Sequence, residues 1–314
     1  MIKVGIIGTG KIAHEYMKVI SSISTCDVVG VVGRNFEKAA TFATKNKIGQ
    51  AYKSINDLYN SCKPDCVIIC VSVEQIFNVT IHAINFDWYI LLEKPLGLNL
   101  QESMVLQEKI KRSKTNVYVA LNRRNYFVTN YVKQKIIHSR GNRFVSVQDQ
   151  QNLLALESEG FDKKVIENWM FANSIHLIDY ITVFCRGQLI DIQRHGNYRG
   201  KEPSTFTVFL AFESGDTAIY NAHWNKPAPW EVSVATTDYF WNFKPLENCQ
   251  EYSQKSGTFR NIDSDAFDKN FKPGFYRQFK SFLNLVSEKI LLPTDLATFE
   301  DAHETMLLVD KIYA

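Results

Sequence analysis

Two segments of this 314-residue chain place chemistry-bearing residue types at informative spacing. The first is Gly8-Thr9-Gly10-Lys11-Ile12-Ala13, a G-x-G-x-x-A run between an apolar segment and a helical pattern. Gly8 permits a tight turn, Gly10 lets a pyrophosphate approach the backbone, and Ala13 lets helix and strand pack closely. The helix N-terminus then offers free N–H groups to phosphates. A plain turn is the alternative, but strand–helix alternation continues behind the run, which points to dinucleotide binding. The next strand ends Val31-Val32-Gly33-Arg34-Asn35, without the acid that would hold a ribose 2′-hydroxyl. Arg34 can instead form a charge-assisted fork with a 2′-phosphate, so NADP(H) is expected over NAD(H). The competing reading of Arg34 is a solvated loop side chain.

The second segment is Glu93-Lys94-Pro95, directly after the apolar run Tyr89–Leu92. That puts Lys94 at the carboxyl edge of the expected sheet, where ligands of open α/β sheets bind. Taken alone, Lys94 is as readily a surface ammonium, and His176 a packed helix histidine.

The elements that must position these residues follow from periodicity. Strands are expected at Val4–Ile7, Val28–Val32, Cys66–Val71, Tyr89–Leu92 and Val117–Leu121, with helices from Lys11 to Ser21, Phe36 to Lys45 and about Asn99 to Arg112. Ser54-Ile55-Asn56-Asp57 reads as a capping box opening a short helix. This alternation signals βαβ units and a parallel sheet. After Asn122 the pattern changes. Helices are expected at Tyr126–His138 and Ser174–Phe184, and alternating strands at Phe144–Gln148, Thr205–Phe212, Thr217–Trp224, Glu231–Thr236 and Tyr239–Phe243. Two more helices, Phe275–Lys289 and Phe299–Tyr313, follow. The fold class is α/β: an N-terminal Rossmann dinucleotide-binding domain over 1–121, then an α+β domain over 122–314 with a large, mainly antiparallel open sheet.

Composition narrows the class. A net charge of +3, with no basic run flanked by aromatics, argues against a nucleic-acid partner. No apolar run is long enough for a membrane span, and Met1–Ile7 reads as a buried strand rather than a signal peptide. The six cysteines form no Cys-x-x-Cys pair and have no nearby His, so no metal site is expected. Cys62, Cys66 and Cys70 read as part of a strand segment, and buried reduced thiols fit a cytoplasmic protein.

Glu93-Lys94-Pro95 at this distance behind the glycine run, Asn122-Arg123-Arg124 after the sixth strand, and His176-Leu177-Ile178-Asp179 together resemble the glucose–fructose oxidoreductase / inositol dehydrogenase / rhizopine-catabolism (Gfo/Idh/MocA) family. The resemblance implies an NAD(P)-dependent oxidoreductase moving a hydride between nicotinamide and a secondary alcohol or ketone of a sugar, cyclitol or nucleotide sugar. It implies a cis bond at Lys94–Pro95, a substrate hydroxyl held by Lys94, and His176 as general acid/base. Cofactor contacts would come from Gly8, Thr9, Gly10, Lys11, Ile12, Gly33, Arg34, Ser72, Glu93, Lys94 and Asn122. Substrate contacts would come from Lys94, Arg123, Tyr126, Asn173 and His176. A homodimer or homotetramer through the C-terminal sheet is also implied.

Two positions depart from the family pattern. Ala172 stands one turn before His176, where members often carry Asp or Asn, with Asn173 one residue out of register. Phe77 stands where members often carry His. Two other readings therefore compete: a catalytically impaired dinucleotide sensor, and a reductase of another small molecule such as an imine or tetrapyrrole.

Overall fold

The computed structural model describes residues 1–288 and 296–314. The chain runs β1 (Ile2–Ile7), α1 (Lys11–Ile20), β2 (Cys26–Val32), α2 (Phe36–Lys45), β3 (Ala51–Tyr52), α3 (Ile55–Cys62), β4 (Cys66–Ile69), α4 (Val73–Ala83), β5 (Tyr89–Glu93), α5 (Leu100–Arg112) and β6 (Val117–Ala120). It continues with α6 (Phe127–Ile136), β7 (Phe144–Gln151), α7 (Leu153–Ser158), α8 (Lys163–Glu167), α9 (Ile175–Phe184), β8 (Leu189–His195), β9 (Ser204–Phe212), β10 (Thr217–Trp224), β11 (Glu231–Ala235), β12 (Tyr239–Phe243), β13 (Cys249–Ser253) and β14 (Thr258–Ile262). Then come α10 (Ala266–Asn270), α11 (Phe275–Glu288), β15 (Ala297–Thr298) and α12 (Phe299–Tyr313).

These elements form two units, Met1–Asn125 with Lys269–His303, and Tyr126–Asp268 with Glu304–Ala314. The first unit is built on a seven-stranded sheet in the order β15-β6-β5-β4-β1-β2-β3. Strands β1 to β6 pair in parallel, and only β15 is antiparallel, on the β6 edge. Strand β1 lies between β2 and β4, so the strand order reverses there and a crevice opens at their carboxyl ends. Strand β4 is fully buried along its length, as a strand covered on both faces must be. Asparagine and serine caps set the helix starts. Asn35 Oδ1 accepts from Lys38 N at 2.9 Å, Ser54 Oγ from Asp57 N at 3.1 Å, and Asn99 Oδ1 from Glu102 N at 3.1 Å.

The second unit carries an eight-stranded sheet, β14-β13-β12-β11-β7-β10-β9-β8. It is antiparallel except where β10 runs parallel to β7. Strands β7, β9 and β10 alternate strictly between buried and more accessible side chains, so one face carries the unit's core. On that face lie Phe206, Tyr220, Trp224 and Trp241, all essentially inaccessible.

The structure corrects the expected division of the chain. The first boundary falls at Asn125, close to the expected 121, but the chain then returns: Lys269–His303, assigned from sequence to the second domain, belongs to the first unit. The cause is apolar. Phe275, Phe279, Phe282, Leu285 and Val286 on α11 bury into the same core as Val4, Ile6, Tyr16 and Val28. Cys62 ends a helix rather than sitting in a strand segment, while Cys66 and Cys70 are buried thiols. β3, α4, α7, α8, β8, β13, β14, α10 and β15 were not anticipated, and β7 runs on to Gln151. Of the helix expected to reach Lys289, that last residue lies outside the described ones.

The β9–β10 hairpin turns as its Gly215 required, at φ +81°, and its next residue holds the sheet end together. Asp216 is wholly buried and accepts four bonds: Arg143 N and Arg186 Nη2 on Oδ1, both at 2.8 Å, and Arg186 N and Nε on Oδ2, both at 2.9 Å. Burial alone would raise this carboxyl; the Arg186 side chain and the two backbone N–H groups outweigh it and hold the pKa below the ordinary value. Stability from this group is therefore present above the ordinary carboxylate range and lost as pH falls through the depressed pKa. Asp216→Ala is expected to lower the unfolding free energy by about 3 kcal/mol in urea titrations at neutral pH, with a smaller difference in acid.

Candidate functional site

The glycine loop stands at the crevice between β1 and β4. Gly8 N donates to Val32 O at 2.8 Å, and a Cβ at Gly8 would lie 2.4 Å from the Cys70 carbonyl oxygen. With φ at +119°, this position admits only glycine. At Gly10 an added Cβ would meet nothing within 4 Å, so the backbone ahead of α1 is open to a ligand. A cavity of about 480 Å³ opens there. Of the expected cofactor residues, Gly8, Thr9, Gly10, Gly33, Arg34 and Ser72 line it; Lys11 and Ile12 begin α1 just beyond its wall, and Glu93, Lys94 and Asn122 do not line it. Two unanticipated cations do: Lys38 on the first turn of α2, and Lys53 between β3 and α3. Among the described residues, no Asp or Glu lines the cavity. An open backbone at a helix N-terminus with cations on the same wall fits the phosphates of a dinucleotide.

Glu93 ends β5 and is 8% exposed, with Lys94 following half-buried on a cis bond to Pro95. The Tyr16 hydroxyl of α1 donates to Glu93 Oε1 at 2.8 Å, and Gln278 Nε2 of α11 donates to that hydroxyl at 3.1 Å. Burial raises the Glu93 pKa, while the Tyr16 hydrogen bond and the ammonium groups of Lys94 and Lys272 pull against it. Burial lowers Lys94 to about 8; the Glu93 carboxylate opposes that, and Arg123 and Lys272 add to it. Asn122 Nδ2 donates to Pro273 O at 2.9 Å, so this expected cofactor ligand anchors the turn before α11, and Arg124 faces Asp301 at 3.7 Å.

In the second unit, His176 sits in the first turn of α9, 8% exposed. The preceding turn, Met170–Ser174, is π-helical, a local widening that often marks functional segments. Ala172 is buried within it, and Asn173 donates its Nδ2 to Gln151 Oε1 at 2.9 Å. Asp179 is buried and accepts from Thr305 Oγ1 of α12 at 2.9 Å and from Thr182 Oγ1 at 3.3 Å, which makes it a helix-packing group. Tyr126 is buried at the start of α6. Gln151, Lys38 and Lys53 escaped sequence reasoning. A signal existed only for the lysines, as cations shortly after the second and third strands.

With its folded pKa lowered to about 8, the Lys94 ammonium destabilises the fold fully below that pH, and the effect fades as pH rises further. In ¹³C-dimethyl-lysine NMR, one resonance absent from Lys94→Arg should titrate with a midpoint near 8. Glu93→Gln should move that midpoint lower, because the carboxylate it removes favours the ammonium.

Residues 2–121 match the model of an oxidoreductase family with an NAD-binding Rossmann fold. Glucose-6-phosphate 3-dehydrogenase of Bacillus subtilis is 25% identical over 149 residues, 47% of this chain and 41% of that protein. Inositol 2-dehydrogenase of Salmonella typhimurium is 28% identical over 148 residues, 45% of this chain and 42% of that protein. The aligned segments thus span less than half the length of these curated relatives. The structure of a UDP-N-acetylglucosamine 3-dehydrogenase from Acidithiobacillus ferrooxidans superposes with a TM-score of 0.79 at 16% identity, over 99% of this chain and 96% of that one, and so shares the fold. Among the described residues no helix is long and apolar enough to cross a membrane, and no three His, Cys, Asp or Glu side chains cluster as metal ligands. Over residues 2–121, the chain is similar to the Gfo/Idh/MocA oxidoreductase family.

Proposed function

We propose that this protein is an NADP(H)-dependent oxidoreductase acting on a secondary alcohol, or the matching ketone, of a sugar, cyclitol or nucleotide sugar. The observation that carries the reading is the cavity at the glycine loop, with Arg34, Lys38 and Lys53 on its wall and no acid among its lining residues. Gly8, Thr9 and Gly10 would receive the pyrophosphate, Gly33 and Arg34 the adenosine ribose, and Ser72 the far side of the crevice. A 2′-phosphate beside Arg34 finds charge-assisted donors there, whereas a bare 2′-hydroxyl finds no carboxylate. The second-unit sheet also offers its less buried face, with Thr207, Asn221, His223 and Gln148, to another copy of the chain.

The bound nicotinamide supplies a two-electron hydride donor or acceptor. Lys94 holds the substrate hydroxyl. Its pKa of about 8 lets it donate a hydrogen bond as an ammonium while remaining close to exchange at neutral pH. His176 takes the hydroxyl proton as the carbinol carbon loses its hydride, and returns it in the reverse direction. Arg123 and Tyr126 contribute to substrate contact. The substrate classes named for the similar proteins support this choice of alcohol.

Two measurements test the reading. Arg34→Ala should weaken NADP⁺ binding about tenfold in a fluorescence titration, the scale of one charge-assisted bond, and leave NAD⁺ binding unchanged. On a panel of sugars, cyclitols and nucleotide sugars with NADP⁺, the wild type should form reduced nicotinamide, and Lys94→Ala or His176→Ala should abolish it. Tight dinucleotide binding with no turnover on any member would favour a sensor instead.

A further inference from the structure

Tyr16 and Gln278 are wholly buried in the first unit, yet the polar atoms of both exceed what packing there requires. The Tyr16 ring lies 4.9 Å from that of Phe275 and 6.2 Å from that of Phe279, a setting that a phenylalanine would fill as well. What the hydroxyl adds is the bond to Glu93 Oε1 at 2.8 Å and the bond from Gln278 Nε2 at 3.1 Å. Gln278 gives its NH₂ to that hydroxyl while its own Oε1 is buried with no hydrogen-bond partner among the described residues. A buried acceptor without a donor costs stability that a methionine at this position would spare. An amide kept at such a cost points to a role beyond packing.

The direction of both bonds is determined. Glu93 as a carboxylate can only accept, so the Tyr16 proton goes to it. The phenol oxygen then meets Gln278 as an acceptor, and a turned amide would set two oxygens face to face. Gln278 therefore keeps the Tyr16 proton on Glu93, and its donation makes the phenol a stronger donor. Burial and the Glu93 carboxylate push the Tyr16 hydroxyl well up, and the Gln278 amide pulls the other way. Glu93 also faces Lys94, Lys272 ahead of α11, and the Cys70 thiol, which burial keeps neutral. Lys94 faces Glu93, Arg123 and Lys272. Glu93 is thus the one carboxylate set against the two cations that crowd Lys94.

We propose that Tyr16 and Gln278 are positioning residues for Lys94: by holding Glu93 as an oriented carboxylate, they keep the Lys94 amine charged and in place for the substrate hydroxyl. The proposal rests on the oxidoreductase reading above for what Lys94 does, and on the geometry of the first unit for how Lys94 is held. Without the Tyr16 proton, burial draws Glu93 towards its neutral form. Lys94 then loses its counter-charge and sheds its proton at lower pH.

The test uses the full chain and reads Lys94 through its ¹³C-dimethyl-lysine resonance, expected to titrate near 8. Tyr16→Phe should lower that midpoint by less than Glu93→Gln does, and Gln278→Met should lower it by less again. In a Glu93→Gln background neither substitution should move it further, because both act through the carboxylate. A purely structural role predicts lost stability with the midpoint unmoved. With NADP⁺ and the panel member of highest turnover, the alkaline limb of kcat/KM should shift to lower pH in Tyr16→Phe, in step with the resonance. An unmoved midpoint in Tyr16→Phe, or a further shift in the Glu93→Gln background, would overturn the proposal. Should Tyr16→Phe fail to fold, Gln278→Met decides on the same resonance. An unmoved resonance with turnover intact refutes this proposal alone. A moved resonance with no turnover on any panel member refutes the enzymatic reading and, with it, the catalytic use of the linkage.

Discussion

The end of β5 places a buried carboxylate, Glu93, beside the half-buried ammonium of Lys94, and distant parts of the first unit converge to satisfy that carboxylate. An isolated buried charge is costly, so each needs a partner and each remaining lone pair a donor. Glu93 obtains the Tyr16 hydroxyl from α1, and Tyr16 in turn is held by Gln278 from α11. That second bond spans 262 positions of sequence. It requires the chain to return to its first unit after building the second sheet. Phe275, Phe279 and Phe282 bring α11 back by burying apolar surface in the sheet's own core, and Asn122 pins the turn that precedes it. Beside Glu93, burial lowers Lys94 to about 8 against the opposing pull of that carboxylate.

The second unit meets the same problem at several carboxylates. Asp149, Asp216 and Glu251 are all buried, and each is met by several donors rather than by a single opposite charge. Glu251 accepts from Tyr131 and Trp241 at 2.8 Å each and from Arg260 Nε at 2.7 Å. At Asp149 and Glu251 aromatic donors take part: phenol and indole groups fill the core while their polar ends satisfy carboxylates. At Asp149 the consequence passes outward through Gln151 to the π-helical turn. At Asp216 it stays local and ties the β9–β10 hairpin to the neighbouring loops.

Legibility in the sequence followed signal strength. Strands β1, β4, β5 and β6 were readable because both faces are covered and their apolar runs are continuous; β9 and β10 because alternation is strict over eight or nine residues. Short helices such as α7 and α8 carry too few turns to show a period. β14 is exposed along four of its five residues, so no apolar pattern marks it. Helix α4 starts Val73-Glu74-Gln75-Ile76-Phe77, with β-branched residues whose local preference is weak, and tertiary packing of Ile76, Thr80 and Ala83 decides it. A continuous second domain was a natural expectation, because an apolar face on α11 says that it is buried but not against which sheet.

The sequence by itself determined the glycine loop, the absence of an acid after β2, and the presence of Lys94 and His176, since each depends on residue identity and nearby chain alone. Gly8 needs its positive φ and Arg34 its charge wherever the rest of the chain goes. Only the tertiary structure decided which distant groups share their surroundings: Lys38 and Lys53 beside Arg34, Gln278 behind Tyr16, and Gln151 between Asp149 and Asn173. Those pairings set pKa values and hydrogen-bond polarity through distances of a few ångströms. Such distances between residues far apart in the chain follow from how sheets and helices pack, and no local pattern encodes them.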